Sequence, residues 1–66
     1  MTGEELKKAR LAKALTQEKL GLLLGYDIKS AERTVQYWEA GTRDIPAKQY
    51  RALSKILGVP LEKFIP

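Results

Sequence analysis

The chain has 66 residues, 12 Lys and Arg against 8 Asp and Glu, a formal charge of +4, and neither cysteine nor histidine. That composition excludes disulfides, every Cys/His zinc arrangement and any nucleophile paired with a histidine. A chain this short allows one domain, expected over residues 1–66, that buries only about 60% of the surface it exposes when unfolded.

A small basic chain is a candidate for binding nucleic acid; surplus lysine for solubility is the competing explanation, and composition alone does not separate them. The first eight residues, Met1 to Lys8, mix charges and lack the apolar stretch of a secretory signal. The longest apolar run, Leu20 to Tyr26, is far too short to span a bilayer, so no membrane partner is expected. Its Gly21-x-x-x-Gly25 spacing carries almost no information outside a long apolar segment.

Strand signals are poor, and the punctuation predicts several short helices. The first runs from Thr2 or Gly3 to Lys13: Thr2 and Glu5 have capping-box spacing, and Leu6 and Ala9 mark the inner side. The second starts at Thr16, whose hydroxyl is a good N-cap; Leu20, Leu23 and Leu24 are its apolar face, and Gly25 ends it.

The third helix carries Ala31, Val35 and Trp38 at i, i+4 and i+7, with Ile28 extending the stripe one turn backwards. Asp27 or Ser30 is the candidate cap and Gly41 the stop. The opposite face carries Lys29, Arg33, Gln36 and Tyr37. Pro46 opens a fourth helix, with Leu53, Ile56 and Leu57 on its core face, Tyr50 at the edge and Gly58 as the stop. Pro60 starts a last short turn, from which Leu61, Phe64 and Ile65 are expected to close the core. The fold class is all-α, with five helices.

Two helices joined by a short turn, the second with polar residues facing outward, form a generic helix-turn-helix pattern. Here Leu15-Thr16-Gln17-Glu18-Lys19-Leu20, then Leu24-Gly25, then Val35-x-x-Trp38-Glu39-Ala40-Gly41 together resemble the Cro and lambda-repressor-like (XRE-type) family. The tail from Leu57 to Phe64 resembles that family's final helices, so the resemblance covers residues 4 to 65. Three departures stand out. The stretch from Gly25 to Val35 is four residues longer than the usual pattern, roughly 6 Å of helix. That implies either an expanded turn or a recognition helix beginning near Ile28. Ala40 replaces a frequent asparagine. Leu22 and Leu23 replace residues that are usually polar, and one of them is expected to pack under the extra segment or against a partner chain.

The resemblance implies a compact five-helix domain and a sequence-specific regulator of double-stranded DNA, most simply a repressor, in the cytoplasm of a bacterium or in a phage. It implies base contacts by Arg33, Gln36 and Tyr37, and phosphate contacts by Gln17, Arg43, Lys29 and Thr34. It also implies a structural ion pair between Arg10 and Glu39, and a helix crossing at Gly21 that a larger side chain would push apart. The DNA partner is expected to be an inverted repeat bound by a weak homodimer through the C-terminal helices, with no cofactor, metal or small-molecule substrate.

Each role competes with a plainer one. Arg33, Gln36 and Tyr37 could be solvated side chains, and only the family pattern favours DNA. Glu32 is repelled by phosphate and is expected to pair with Lys29 or Gln36. Lys7, Lys8, Lys13 and Lys19 serve long-range attraction and solvation equally well. Trp38 is read as core, and Phe64 with Ile65 as either a dimer patch or the end of the core. No residues assemble into a catalytic set, so an enzyme is not expected. The alternatives are an adaptor that docks on protein, motivated by Glu32, Ala40 and the extra leucines, and an antitoxin on the same fold.

Overall fold

The computed structural model describes Met1–Pro66 and contains no strand. Its four α-helices are α1 (Gly3–Ala12), α2 (Gln17–Leu23), α3 (Ala31–Ala40) and α4 (Tyr50–Leu57), with 3₁₀ turns at Ala47–Gln49 and Leu61–Lys63. The expected fifth helix is therefore a single 3₁₀ turn.

The starts of α1 and α2 follow from their threonines. The Thr2 hydroxyl accepts from the Glu5 amide at 3.1 Å, while the Glu5 carboxylate accepts from the Thr2 amide at 2.8 Å, a complete capping box. The bond from the Thr2 backbone, followed by the Thr2 side chain, holds the Glu5 carboxyl below its ordinary range. Thr16 caps α2 by accepting from the Lys19 amide at 3.0 Å. The ends differ. Gly25 lies in the left-handed region after α2, at φ 98°, but α1 has no glycine, and Ala14 takes that conformation instead, at φ 56°. The Leu15 amide then donates back to the Arg10 carbonyl at 3.2 Å, closing a Schellman turn.

Each α-helix contributes a large, wholly buried side chain to the core, Leu6, Leu20, Val35 and Leu53, and α3 adds the equally buried Ala31. Trp38, Leu57 and Phe64 pack around them. Tyr26 meets Trp38 edge-on at 5.9 Å, and Tyr50 stacks on Phe64 at 5.7 Å, so two partly buried tyrosines pack against the core through aromatic contacts. A Cβ added at Gly21 would run into the backbone of Ala31, with the Ala31 Cα only 2.7 Å away. That absence of a side chain lets α2 and α3 cross backbone to backbone.

The segment between these two helices decides where α3 begins. Asp27 Oδ1 accepts from the amides of Lys29 and Ser30, both at 3.1 Å, and from the Ser30 hydroxyl at 3.0 Å. The Ala31 amide donates to the Asp27 carbonyl at 2.8 Å. Asp27 thus caps one turn, residues 28–30, that leads into α3. Ser30 itself makes no side-chain cap and has φ −116°, well off the helical value near −63°.

That bend corrects an expectation: Ile28 does not extend the buried stripe but swings outward and is 61% exposed. Leu22 and Leu23 are both exposed, and neither packs under the turn. Ile65 is exposed as well. In a 3₁₀ turn only residues three apart share a face, so Leu61 and Phe64 turn inward together and the next residue points away.

Candidate nucleic-acid interface

With Ala31, Val35 and Trp38 committed to the core, the helical period turns Glu32, Arg33 and Gln36 to solvent, with Thr34 and Tyr37 half-buried at the margins. Arg33 Nη2 donates to the Lys29 carbonyl at 3.3 Å, so its guanidinium lies back along the Asp27 turn. Glu32 makes no bond to Lys29 or Gln36, contrary to expectation. Lys29 lies in the turn, off helical spacing, and an exposed pair gains too little to hold two long side chains together. The cationic groups of this face, Lys29 and Arg33, have no carboxylate partner.

The one ion pair of the molecule lies behind the face. Arg10 Nε donates to Glu39 Oε2 at 2.7 Å and Nη2 to Oε1 at 3.1 Å, with both side chains more than nine-tenths buried. Arg10 Nη1 donates to the Leu15 carbonyl at 2.8 Å, and Gln17 Nε2 adds a bond to Glu39 Oε1 at 3.1 Å. No buried side-chain polar atom is left without a partner. This network ties α1, the loop before α2, the first residue of α2 and the last turn of α3 to one carboxylate. The Gln17 amide has a second N–H, and it stands at the N-terminus of α2.

The end of α3 is equally fixed. Gly41 takes φ 78°, folding the chain back so that the Thr42 amide and hydroxyl both donate to the Tyr37 carbonyl, at 3.0 and 3.2 Å. Arg43 then lies over the Tyr37 ring, 4.5 Å from its centre.

Two short helices crossing at a glycine, the second presenting an unpaired basic and amide face, constitute a helix-turn-helix. The helix-turn-helix family profile matches residues 6–64, nearly the whole chain. The chain is an XRE-type, lambda-repressor-like helix-turn-helix domain. This is a family of DNA-binding regulators rather than of enzymes. No curated protein matches the chain significantly. The domain has no cluster of acidic residues arranged to hold a metal ion and no helix long and apolar enough to cross a membrane.

Of the residues singled out from sequence, the XRE-type fold brings Arg33, Gln36 and Tyr37 to one side of α3 and sets Arg43 against Tyr37. Lys29 and Thr34 flank the start of that helix, and Gln17 is held on Glu39. Two contributors had no clear signal. A Cβ on Gly3 would collide with the carbonyls of Trp38 and Glu39, so α1 begins directly against the end of α3. A glycine in a first helical turn already well capped is the trace that sequence offers of such an approach. The Leu15 carbonyl, a backbone acceptor for Arg10, leaves no trace at all.

Proposed function

We propose that residues 1–66 act as one sequence-specific reader of double-stranded DNA in a transcriptional regulator, most simply a repressor that occludes a promoter. In this reading α3 enters the major groove and α2 crosses the backbone. Arg33 offers a forked donor to guanine, and Gln36 pairs with adenine. Gln17, through its second N–H, Thr34, Lys29 and Arg43 fix register on phosphates. The Asp27–Ser30 turn is the extra length relative to the family pattern, and it lifts Lys29 toward the backbone.

The observation that carries the reading is the division of α3: Ala31, Val35 and Trp38 are buried while Arg33 and Gln36, on the other side, are exposed and free of carboxylates. Ile65, exposed at the end of the chain, supports a weak homodimer through α4 and the closing turn, and hence an inverted repeat.

Selection of bound sequences from random duplexes tests both claims, because it reports base preference and half-site symmetry together. Lys29 and Arg43 as the two cationic phosphate contacts predict that log K falls with log salt at a slope of about −1.8 per copy. Binding that ignores salt rejects the reading.

A second reading, an adaptor or antitoxin that docks on protein, is favoured by the exposure of Leu11, Leu22, Leu23 and Ile28. Replacing Arg33 and Gln36 by alanine separates the two. A DNA reader loses base preference, and an adaptor is indifferent.

A further inference from the structure

Tyr37 and Arg43 form a unit whose features are independent of one another. The Tyr37 carbonyl gathers the Thr42 amide at 3.0 Å, the Thr42 hydroxyl at 3.2 Å and the Arg43 amide at 3.4 Å, so the backbone of the loop is pinned to this residue. The Arg43 guanidinium covers the Tyr37 ring at 4.5 Å. None of the guanidinium N–H groups donates to a protein acceptor, and the molecule's single ion pair is made by another arginine, Arg10. A cation held over a ring face is attracted by the ring's electrons without using its N–H groups as conventional donors. Arg43 is therefore a cation held in place with its donors unused, immediately beyond the recognition helix.

We infer that Tyr37 is a positioning residue: its ring orients Arg43 for a phosphate of the DNA backbone, and its contribution to binding passes through Arg43 rather than through a base. The inference rests on the DNA-reading function proposed above and reassigns Tyr37 from reading bases to holding a backbone contact. Tyr37 is half-buried, and its ring face is covered by the arginine it carries. Its hydroxyl makes no bond within the protein, so Phe preserves the unit and Leu destroys it. Lysine at position 43 keeps the charge but lacks the planar donor fork.

The test measures affinity of the full chain for a duplex recovered by selection, at several salt concentrations, for the wild type, Tyr37→Phe, Tyr37→Leu, Arg43→Ala, Arg43→Lys and the Tyr37→Leu/Arg43→Ala pair. Tyr37→Phe is expected to match the wild type. Tyr37→Leu is expected to weaken binding about two- to fivefold, equally on every duplex. Arg43→Ala is expected to lower the magnitude of the salt slope by about 0.9. Once Arg43 is gone, Tyr37→Leu is expected to cost nothing more.

Loss of preference at one base pair in Tyr37→Leu, or an undiminished effect in the Arg43→Ala background, overturns the inference. Should Tyr37→Leu loosen α3, Arg43→Lys decides, since position 43 is exposed: the inference requires weakened binding with the salt slope kept, and wild-type affinity overturns it. If the wild type binds no duplex, the DNA reading falls and this inference with it. If the wild type binds but the two substitutions are additive, only the inference falls.

Discussion

Glu39 accepts from Arg10 twice and from Gln17 once, in a place where neither charged partner meets much water. Removing one member of such a pair strands the other. Arg10→Met is therefore expected to cost about 3–5 kcal/mol, against a total of about 3–10 kcal/mol for a domain of this length. Urea unfolding should show the midpoint lowered by a large fraction of its wild-type value. Removing both charges in Arg10→Met/Glu39→Leu is expected to cost less than Arg10→Met alone; the opposite order contradicts the account. Two backbone positions give opposite signs. Gly21→Ala drives a methyl into the Ala31 backbone and is expected to destabilise by at least about 1–3 kcal/mol. Ala14→Gly relieves a left-handed alanine and is expected to stabilise by about 0.5–1 kcal/mol. Shifts of the thermal midpoint in these two directions are the check.

The ends of the elements are set by side-chain caps, and each cap has a measurable share. Thr2→Ala and Thr16→Ala should each lower stability by about 1 kcal/mol. The first cap also carries a pH signature. Because folding lowers the Glu5 pKa, its contribution is complete above the ordinary glutamate value and disappears in acid as the pH falls through the lowered one. Glu5→Gln, which keeps an acceptor but no charge, should flatten that part of the stability profile; an unchanged acid slope contradicts it. Caps and apolar spacing were what sequence could show at this scale. Thr2, Thr16, Gly41 and Gly58 mark their boundaries, and the Val35–Trp38 spacing fixes which side of α3 is buried. The Ile28 placement failed because periodicity assumes a continuous helix, and nothing in the residue types reveals that Ser30 bends the chain. The closing turn failed for a related reason: 3₁₀ and α spacing agree for Leu61 and Phe64 and part company only at Ile65. The site residues were legible only as a face. Which of them lean on one another, Arg33 on the Lys29 carbonyl or Arg43 on Tyr37, depends on loop geometry that spacing does not encode.

At the scale of the molecule, the charge is surplus cation on the surface, because Arg10 and Glu39 cancel each other inside. For the proposed DNA reader, alanine at Arg33 or Gln36 should each remove about 1–3 kcal/mol of discrimination at a single base pair. Because both side chains are exposed, the unfolding midpoint should stay within error of the wild type. A loss of fold in either variant would mean that the face is structural. The buried carboxylate also has a mechanical result. Three helices converge on it through α1, α2 and α3, so none can slide or tilt without breaking bonds held by the others. In the proposed DNA reader, a body clamped in this way should meet a double helix as a fixed template, and the bending and groove adjustment needed for a close fit should fall to the nucleic acid. Pliable pyrimidine–purine steps at positions that no side chain touches should then raise affinity, a preference written by the stiffness of the protein rather than by any of its contacts.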